Sequence, residues 1–337
     1  MTQPKTALIL GATGGIGHEV ATALLQHGWQ INALHRTPAN VASRKGTSTF
    51  HWIKGDAMNA ADVAQAALGA SLIVHAVNPP GYRNWAQLVL PMIDSSISAA
   101  RACGARILLP GTIYNYGPDA FPTLREDSPQ NPLTRKGKIR VEMERRLQAA
   151  AKTGVRSLIV RAGDFFGPSA GNNWFSQGLV RPGKPVTSIV YPGRRGIGHA
   201  WAYLPDLAAT MAQLVDREST LEDFARFHFA GHWDADGTHM ANAIRAVAGS
   251  AAGAANIPVR SFPWPLITLL CPFKTLFREM REMRYLWQEP LRLNDDRLLS
   301  VLKTGPRTSF EQAVRATLSG LKCLPPATRA GNGVHCE

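Results

Sequence analysis

Thr6-Ala7-Leu8-Ile9-Leu10-Gly11-Ala12-Thr13-Gly14-Gly15-Ile16-Gly17 is the stretch that decides the fold. Its apolar opening, Thr6–Leu10, reads as a buried strand. A glycine-rich turn follows at once. Gly14–His27 then carries helical spacing through Ile16, Val20 and Leu24, and Gly28 stops it. Strand, glycine turn and helix in immediate succession make a phosphate cradle. Gly11 permits the tight turn, Gly14 keeps a Cβ out of the way of a pyrophosphate, and Gly17 lets the helix lie close to the sheet. Free N–H groups and the macrodipole at the helix N-terminus favour an anion there. A dinucleotide held by Gly11, Ala12, Thr13, Gly14, Gly15, Ile16 and Gly17 is the expected ligand.

Outward from this turn the alternation continues. Trp29–Leu34, Phe50–Lys54, Ser71–Val77, Arg106–Leu109 and Arg156–Arg161 read as strands; Asp62–Leu68, Trp85–Cys103 and Gly137–Ala151 read as helices. Continuous apolar runs separated by helices predict a parallel sheet covered on both faces. Right-handed crossovers make it doubly wound. The expected fold is α/β: a Rossmann-type doubly wound parallel sheet over residues 1–165, with a smaller C-terminal substrate lobe. From about residue 165 Pro and Gly become frequent and the alternation weakens. Residues 166–324 read as that lobe, interleaved with the last core elements. Ser250–Asn256 reads as a linker, and 325–337 as a flexible tail.

Composition narrows the classes. Lys and Arg number 37 against 24 Asp and Glu, a net charge of +13, which favours anionic partners. The basic residues are scattered and no nucleic-acid motif accompanies them, so a phosphate-bearing ligand is expected rather than nucleic acid. Cys103, Cys271, Cys323 and Cys336 lack C-x-x-C spacing, which predicts a reduced, cytoplasmic protein. Phe262–Phe277 is broken by Pro263, Pro265, Pro272 and Lys274, too short and interrupted for an integral membrane segment.

The end of the second strand, Ala33-Leu34-His35-Arg36-Thr37, distinguishes between dinucleotides. A carboxylate there suits the ribose hydroxyls of NAD. None is present. His35, Arg36 and Thr37 can instead donate to a 2′-phosphate, and Arg does so bidentately, so NADP is expected over NAD.

Further segments carry a resemblance. Gly55-Asp56-Ala57 follows the third strand, and His75-Ala76-Val77-Asn78 ends the fourth. Gly111-Thr112-Ile113-Tyr114-Asn115-Tyr116-Gly117 follows the fifth. Arg161–Pro168, Ala202–Ala208 and Pro306–Phe310 come later. Together with the G-x-x-G-x-x-G turn these resemble the extended or atypical short-chain dehydrogenase/reductases, the NAD-dependent epimerase/dehydratase branch, over residues 5–320. The resemblance implies that Asp56 and Ala57 meet the adenine, that Ala76 and Val77 pass the riboses, and that Thr112 is the catalytic hydroxyl. It also implies an oxidoreductase or epimerase acting on a carbonyl, hydroxyl or sugar-type small molecule, with a possible homodimer through the long helices.

One segment departs. The family's Y-x-x-x-K lies where this chain has Lys136-Gly137-Lys138-Ile139-Arg140, with Gly137 and Glu144 holding the register. Lys136 takes the Tyr position and Arg140 the Lys position. Residues four apart share a helical face, so both cations can reach the cofactor. Arg140 can bond the ribose but cannot give up a proton. Three readings follow. Lys136, its pKa lowered beside Arg140, replaces the tyrosine; or Tyr114 or Tyr116 supplies the proton; or the protein is a catalytically silent NADP(H) sensor. A solvated helix face with Arg140–Glu144 and Glu142–Arg146 ion pairs is the plainer alternative. Asn173, Trp174, Arg194, Arg195 and His199 fall in the region that the resemblance assigns to substrate. The His228, His232, Asp234, Asp236, His239 cluster lies on strand-like sequence and predicts no metal. The Trp174, Trp201, Trp233, Trp264 and Trp287 pieces read as packing.

Overall fold

A seven-stranded parallel sheet forms the spine of the molecule, in the order β11-β7-β5-β4-β1-β2-β3. Its strands are β1 (Thr6–Leu10), β2 (Gln30–His35), β3 (His51–Lys54), β4 (Leu72–His75), β5 (Arg106–Thr112), β7 (Ser157–Ala162) and β11 (Phe224–Phe229). The structure is a computed structural model and describes residues 5–43, 46–79, 85–171, 173–252, 256–273, 275–305 and 307–325. Alternation along β1 shows why the sheet is buried on both faces: Ala7 and Ile9 enter one apolar cluster, Leu8 and Leu10 the other. Each is at most 1% exposed. Full burial of a leucine or isoleucine side chain stabilises by about 1.5–3 kcal/mol.

The first face is covered by α1 (Gly15–Gln26) and α5 (Leu204–Asp216), through Val20, Leu24, Leu207 and Met211. The second is covered by α2 (Ala60–Ala66), α3 (Trp85–Cys103) and α4 (Arg135–Ala151), through Val63, Val89, Ile93, Met143 and Leu147. The chain runs outward from β1 to β3, then returns to place β4 on the other side of β1. Ligands of such sheets lie at this reversal, beyond the strands' carboxyl ends.

The smaller sheets lie in the second half. β8 (Asp164–Phe166), β10 (His199–Tyr203) and β12 (His232–Asp234) make one. β6 (Thr123–Leu124) pairs with β14 (Arg292–Leu293), and β9 (Ile189–Tyr191) with β13 (Val259–Ser261). The remaining helices are α6 (His239–Ala252), α7 (Trp264–Leu270), α8 (Thr275–Glu282), α9 (Asp296–Leu302) and α10 (Phe310–Gly320). A separate aromatic core holds this part together. Trp287 packs against Trp174, Tyr191 and Trp201, with ring centroids 5.4, 5.8 and 5.7 Å apart.

The expected strands and helices form, with β5 running on to Thr112 and α4 starting two residues before Gly137. The strand-like stretch around His228 is β11, which adds a seventh strand to the six expected in the sheet and stands at its edge beside β7, a partner distant in the chain. Ser250–Ala252 belong to α6 rather than to a linker. Residues 253–255, Lys274, Pro306 and the tail beyond Pro325, Cys336 included, lie outside the described residues. No helix among the described residues is long and apolar enough to cross a membrane.

Candidate active site

The glycine turn closes as its sequence requires. Gly11 has φ +95°, and a Cβ there would lie 2.5 Å from the Ala76 carbonyl oxygen at the end of β4. A Cβ on Gly17 would lie 2.2 Å from the Gly11 carbonyl oxygen. Both positions therefore need glycine: the first for its conformation and contact, the second for the approach of α1. Gly14 caps α1 without a side-chain hydrogen bond, and the first turn carries no acidic residue. The helix's first N–H groups are thus left for an anion.

The cleft beyond this turn has a volume of about 650 Å³. Gly11, Thr13, Gly14, Gly15 and Ile16 form its floor, and His35, Arg36, Asp56, Ala57, Ala76 and Val77 line its walls. Ala12 and Gly17 do not line it. Both are buried beneath the turn, and their part is positional. At the β2 end, His35 Nδ1 accepts the Thr37 N–H at 3.1 Å, which leaves Nε2 to carry the ring proton. Arg36 is exposed and makes no hydrogen bond or ion pair among the described residues. Asp62, unremarked in the sequence reading, fixes the next loop: its Oδ2 accepts the Asp56 N–H at 2.8 Å. Asp56 Oδ1 accepts the Met58 N–H at 3.0 Å.

Beside the cleft, and sharing Phe165 and Asn173 with it, lies a smaller cavity of about 110 Å³. Thr112, Tyr114 and Lys136 all line it. Local sequence explains the placement. Thr134 caps α4 by accepting the Gly137 N–H at 2.9 Å, so Lys136 sits in the first turn. A Cβ on Gly137 would lie 2.3 Å from the Tyr114 carbonyl oxygen, so α4 abuts the Thr112–Tyr116 loop only because that residue is glycine. The Thr112 hydroxyl oxygen accepts the Tyr114 N–H at 3.4 Å and keeps its own proton to donate.

Lys136 and Arg140 are 6% and 8% exposed, which rules out the solvated helix face. Lys136 Nζ stands 3.0 Å from Glu279 Oε2 of α8, a partner that sequence reasoning missed. Burial pulls the Lys136 pKa below its ordinary value. Glu279 opposes that fall, and Arg140 adds a smaller push downward. Burial rather than Arg140 is thus the main cause. The Arg140 guanidinium donates to Asn78 Oδ1 at 2.9 Å, at the edge of the cofactor cleft. Trp85 flanks both cations, 5.7 Å from Lys136 and 5.2 Å from Arg140.

The expected Arg140–Glu144 ion pair does not form, because Glu144 is taken by Arg161 at 2.5 and 3.0 Å. Glu142–Arg146 does form, at 2.9 Å. The same buried network removes Tyr116 from the site. Tyr116 is 0% exposed, and its hydroxyl lies 2.8 Å from both His228 Nε2 and Arg161 Nη1. Burial raises its pKa, so it is a structural residue of the core and no proton donor.

Tyr114 stays in the cavity. Its hydroxyl donates to Asp164 Oδ1 at 3.5 Å, and Asp164 Oδ2 accepts from His199 Nε2 at 2.8 Å. His199 stacks on Trp287 at 3.8 Å. Of the residues assigned to substrate, Asn173 and Trp174 line this cavity, His199 sits behind Asp164, and Arg194 and Arg195 line a different depression. The His/Asp cluster is dispersed: Asp234 caps α6 through the His239 and Met240 N–H groups, and Asp236 holds Thr238. Asp206 accepts from Thr308 N and Oγ1, both at 2.7 Å, so the Ala202–Ala208 block meets the last motif segment.

A dinucleotide-binding sheet with a side-chain cavity at its carboxyl edge is the class that this geometry defines. The chain belongs to the NAD dependent epimerase/dehydratase family, whose model matches residues 7–224. Protein YeeZ of Escherichia coli (strain K12) is 25% identical over 185 residues, 53% of this chain. The match spans 65% of that relative's length. Among solved structures, UDP-glucuronic acid 4-epimerase from Bacillus cereus, in complex with UDP-glucuronic acid and NAD, is similar with a TM-score of 0.70 and 15% identity. That likeness covers 94% of this chain and 99% of the other. A nucleoside-diphosphate-sugar epimerase from Pseudomonas aeruginosa gives 0.70 at 17% identity, over 95% and 98% of the two chains. At these identities the likeness shows the fold. A nicotinamide dinucleotide is the family's cofactor, and the cradle, the uncapped α1 terminus and the cleft fit it.

Proposed function

We propose that the chain is an NADP-dependent oxidoreductase that reduces a small uncharged carbonyl compound, or oxidises the matching alcohol, with Lys136 as acid/base. The observation that carries this reading is the meeting of Thr112, Tyr114 and Lys136 in one cavity beside the dinucleotide cleft. Reduced nicotinamide supplies a hydride when bound. The chain supplies the rest. The Lys136 ammonium gives a proton to the carbonyl oxygen, and the Thr112 hydroxyl holds that oxygen by a hydrogen bond. Glu279 fixes Lys136 in place and Arg140 holds the ribose side. Asp164 and Glu279 put two carboxylates on the cavity wall, which disfavours a diphosphate-bearing substrate there. Arg36 supports NADP, standing exposed just after β2 and without an ion pair among the described residues.

Screening small aldehydes and ketones for NADPH oxidation tests this reading. Lys136→Met is expected to lower kcat by about 100-fold or more with NADPH affinity retained, within the range of general acid–base contributions. A Lys136→Met enzyme with unchanged turnover contradicts it. Tyr114 is the second reading, favoured by its hydroxyl contact to the Asp164–His199 pair. Loss of turnover in Tyr114→Phe but not in Lys136→Met selects it. NADPH binding without turnover on any carbonyl compound selects a silent NADP(H) sensor.

A further inference from the structure

We propose that α7 and the turn after it form a docking face for an anionic lipid surface. An exposed apolar face, a long run of chain without a carboxylate and outward arginines on α8 meet there.

α7 is apolar on two sides. Trp264, Ile267 and Cys271, spaced i, i+3 and i+7, are buried, and Trp264 Nε1 donates to the Pro192 carbonyl at 2.8 Å. That side seats the helix on the lobe. Leu266, Leu269 and Phe273 repeat the same spacing and are 51%, 70% and 81% exposed. The chain stays turned past Leu270, whose carbonyl accepts the Phe273 N–H at 3.1 Å, so the three side chains share one face. Leu269 and Phe273 are the most exposed large apolar side chains among the described residues. Thr268, next to Leu269, gives its hydroxyl proton to the Trp264 carbonyl at 2.9 Å, so covering it strands no donor. Clustered exposure of this kind marks an interaction surface, unlike scattered single side chains.

Charge decides what covers this face. From Gly237 to Arg278 the chain holds Arg245, Arg260, Lys274 and Arg278, and no Asp or Glu. α8 then divides its charges. Arg278 and Arg281 are exposed, whereas Glu279 pairs with Lys136 at 3.0 Å and Glu282 with Arg135 at 3.4 Å, both on α4. The Arg284 guanidinium stands 5.5 Å over the Trp264 ring, at the start of α7. Exposed Leu and Phe beside basic side chains are the composition of a helix that lies in a lipid interface. Anionic headgroups attract such a face, and the net charge of +13 adds to the pull. A second copy of this chain is disfavoured, because pairing through α7 brings two basic surfaces together. Seven residues of helix measure roughly 10 Å, so α7 lies on the surface and does not cross it.

The docking face backs onto the cavity proposed for catalysis. Glu279 and Met280 of α8, and Met283 just after it, line that cavity. Trp264 of α7 lies 6.0 Å from Trp174, which lines it too. Docking therefore sets the outer wall of the cavity beside the membrane surface.

Sedimentation of the full chain, saturated with NADPH, with vesicles tests the proposal. Vesicles of mixed phosphatidylglycerol and phosphatidylcholine are expected to bind the protein, less tightly as salt is raised. Affinity for phosphatidylcholine alone is expected to be at least about tenfold lower. Leu269→Ser/Phe273→Ser leaves every charge in place. It is expected to lower affinity for the mixed vesicles at least about tenfold with NADPH affinity unchanged. Arg278→Gln/Arg281→Gln is expected to weaken the same binding by about tenfold or more. Absence of binding to the mixed vesicles, or wild-type binding by Leu269→Ser/Phe273→Ser, overturns the proposal. A dimer in sedimentation velocity that Leu269→Ser/Phe273→Ser dissociates, with no vesicle binding, makes a second copy the occupant and overturns it as well.

Discussion

The dinucleotide cleft and the cavity proposed for catalysis lie side by side but are built from different material. Backbone makes the floor of the first: the Gly11 turn, the α1 terminus and the ends of β1, β2 and β4, with Leu88 and Met92 of α3 and Phe165, Asn173 and Leu204 closing it from later in the chain. Side chains make the second, brought from β5, α4, β8 and α8. A backbone site is fixed by local conformation and tolerates few changes in shape. A side-chain site is fixed by pairing across the fold and can change its chemistry while the fold stands. That contrast lets Lys136 and Arg140 stand where the resemblance leads one to expect a tyrosine and a lysine while the glycine turn keeps its local geometry.

Four changes bear on that difference. Gly17→Val places a Cβ on the Gly11 carbonyl, which as backbone cannot swing aside. It is expected to weaken NADPH binding by at least about a thousandfold, read by calorimetry, because the cradle must open. Glu279→Ala removes the carboxylate that lies 3.0 Å from the buried Lys136 ammonium. The expected cost is about 3–5 kcal/mol in a denaturant melt, with cofactor affinity little changed in the protein that remains folded. Adding Lys136→Met should recover most of that loss, whereas a purely packing role for Glu279 predicts no recovery.

Acid acts through two buried histidines of the core, His75 and His228. Burial, with Arg140 nearby, holds His75 at about 3, and burial with Arg161 does the same for His228. Unfolded, each imidazole takes its proton near 6.5. The unfolded chain therefore binds more protons between those values, and stability falls as pH drops through that window. The slope reaches about 1.4 kcal/mol per pH unit for each histidine. A thermal melt series from pH 7 to pH 4 measures it, and His228→Asn should flatten it. The smallest expected effect is at Arg36: Arg36→Ala should lower NADPH affinity about tenfold and leave NADH affinity unchanged.

The same contrast governs what the sequence discloses. The β1–turn–α1 unit is legible because each of its constraints is local: alternation into two cores along β1, glycines where a Cβ would strike a carbonyl, a helix stop at Gly28. Thr112 and Lys136 are legible by register, Gly137 being required by the Tyr114 carbonyl. Glu279 is not legible, since nothing near it in the chain signals a lysine on α4. Asp164 and His199 stand in recognised segments, yet their pairing with Tyr114 depends on β8 lying beside β10. Tyr116 misleads for a related reason. It neighbours Tyr114 in the loop, but the chain turns it into the Arg161–Glu144–His228 network, where its hydroxyl is consumed. β11 reaches the sheet edge through pairing with β7, which no local pattern announces.

Calorimetric titration with NADPH, NADP, NADH and NAD reads the dinucleotide cleft and Arg36 together. One equivalent of bound dinucleotide is expected, with the phosphorylated pair tighter than NADH and NAD. Tighter binding of NADH and NAD would remove the role given to Arg36, and no binding of any of the four would mean that the glycine turn holds no dinucleotide.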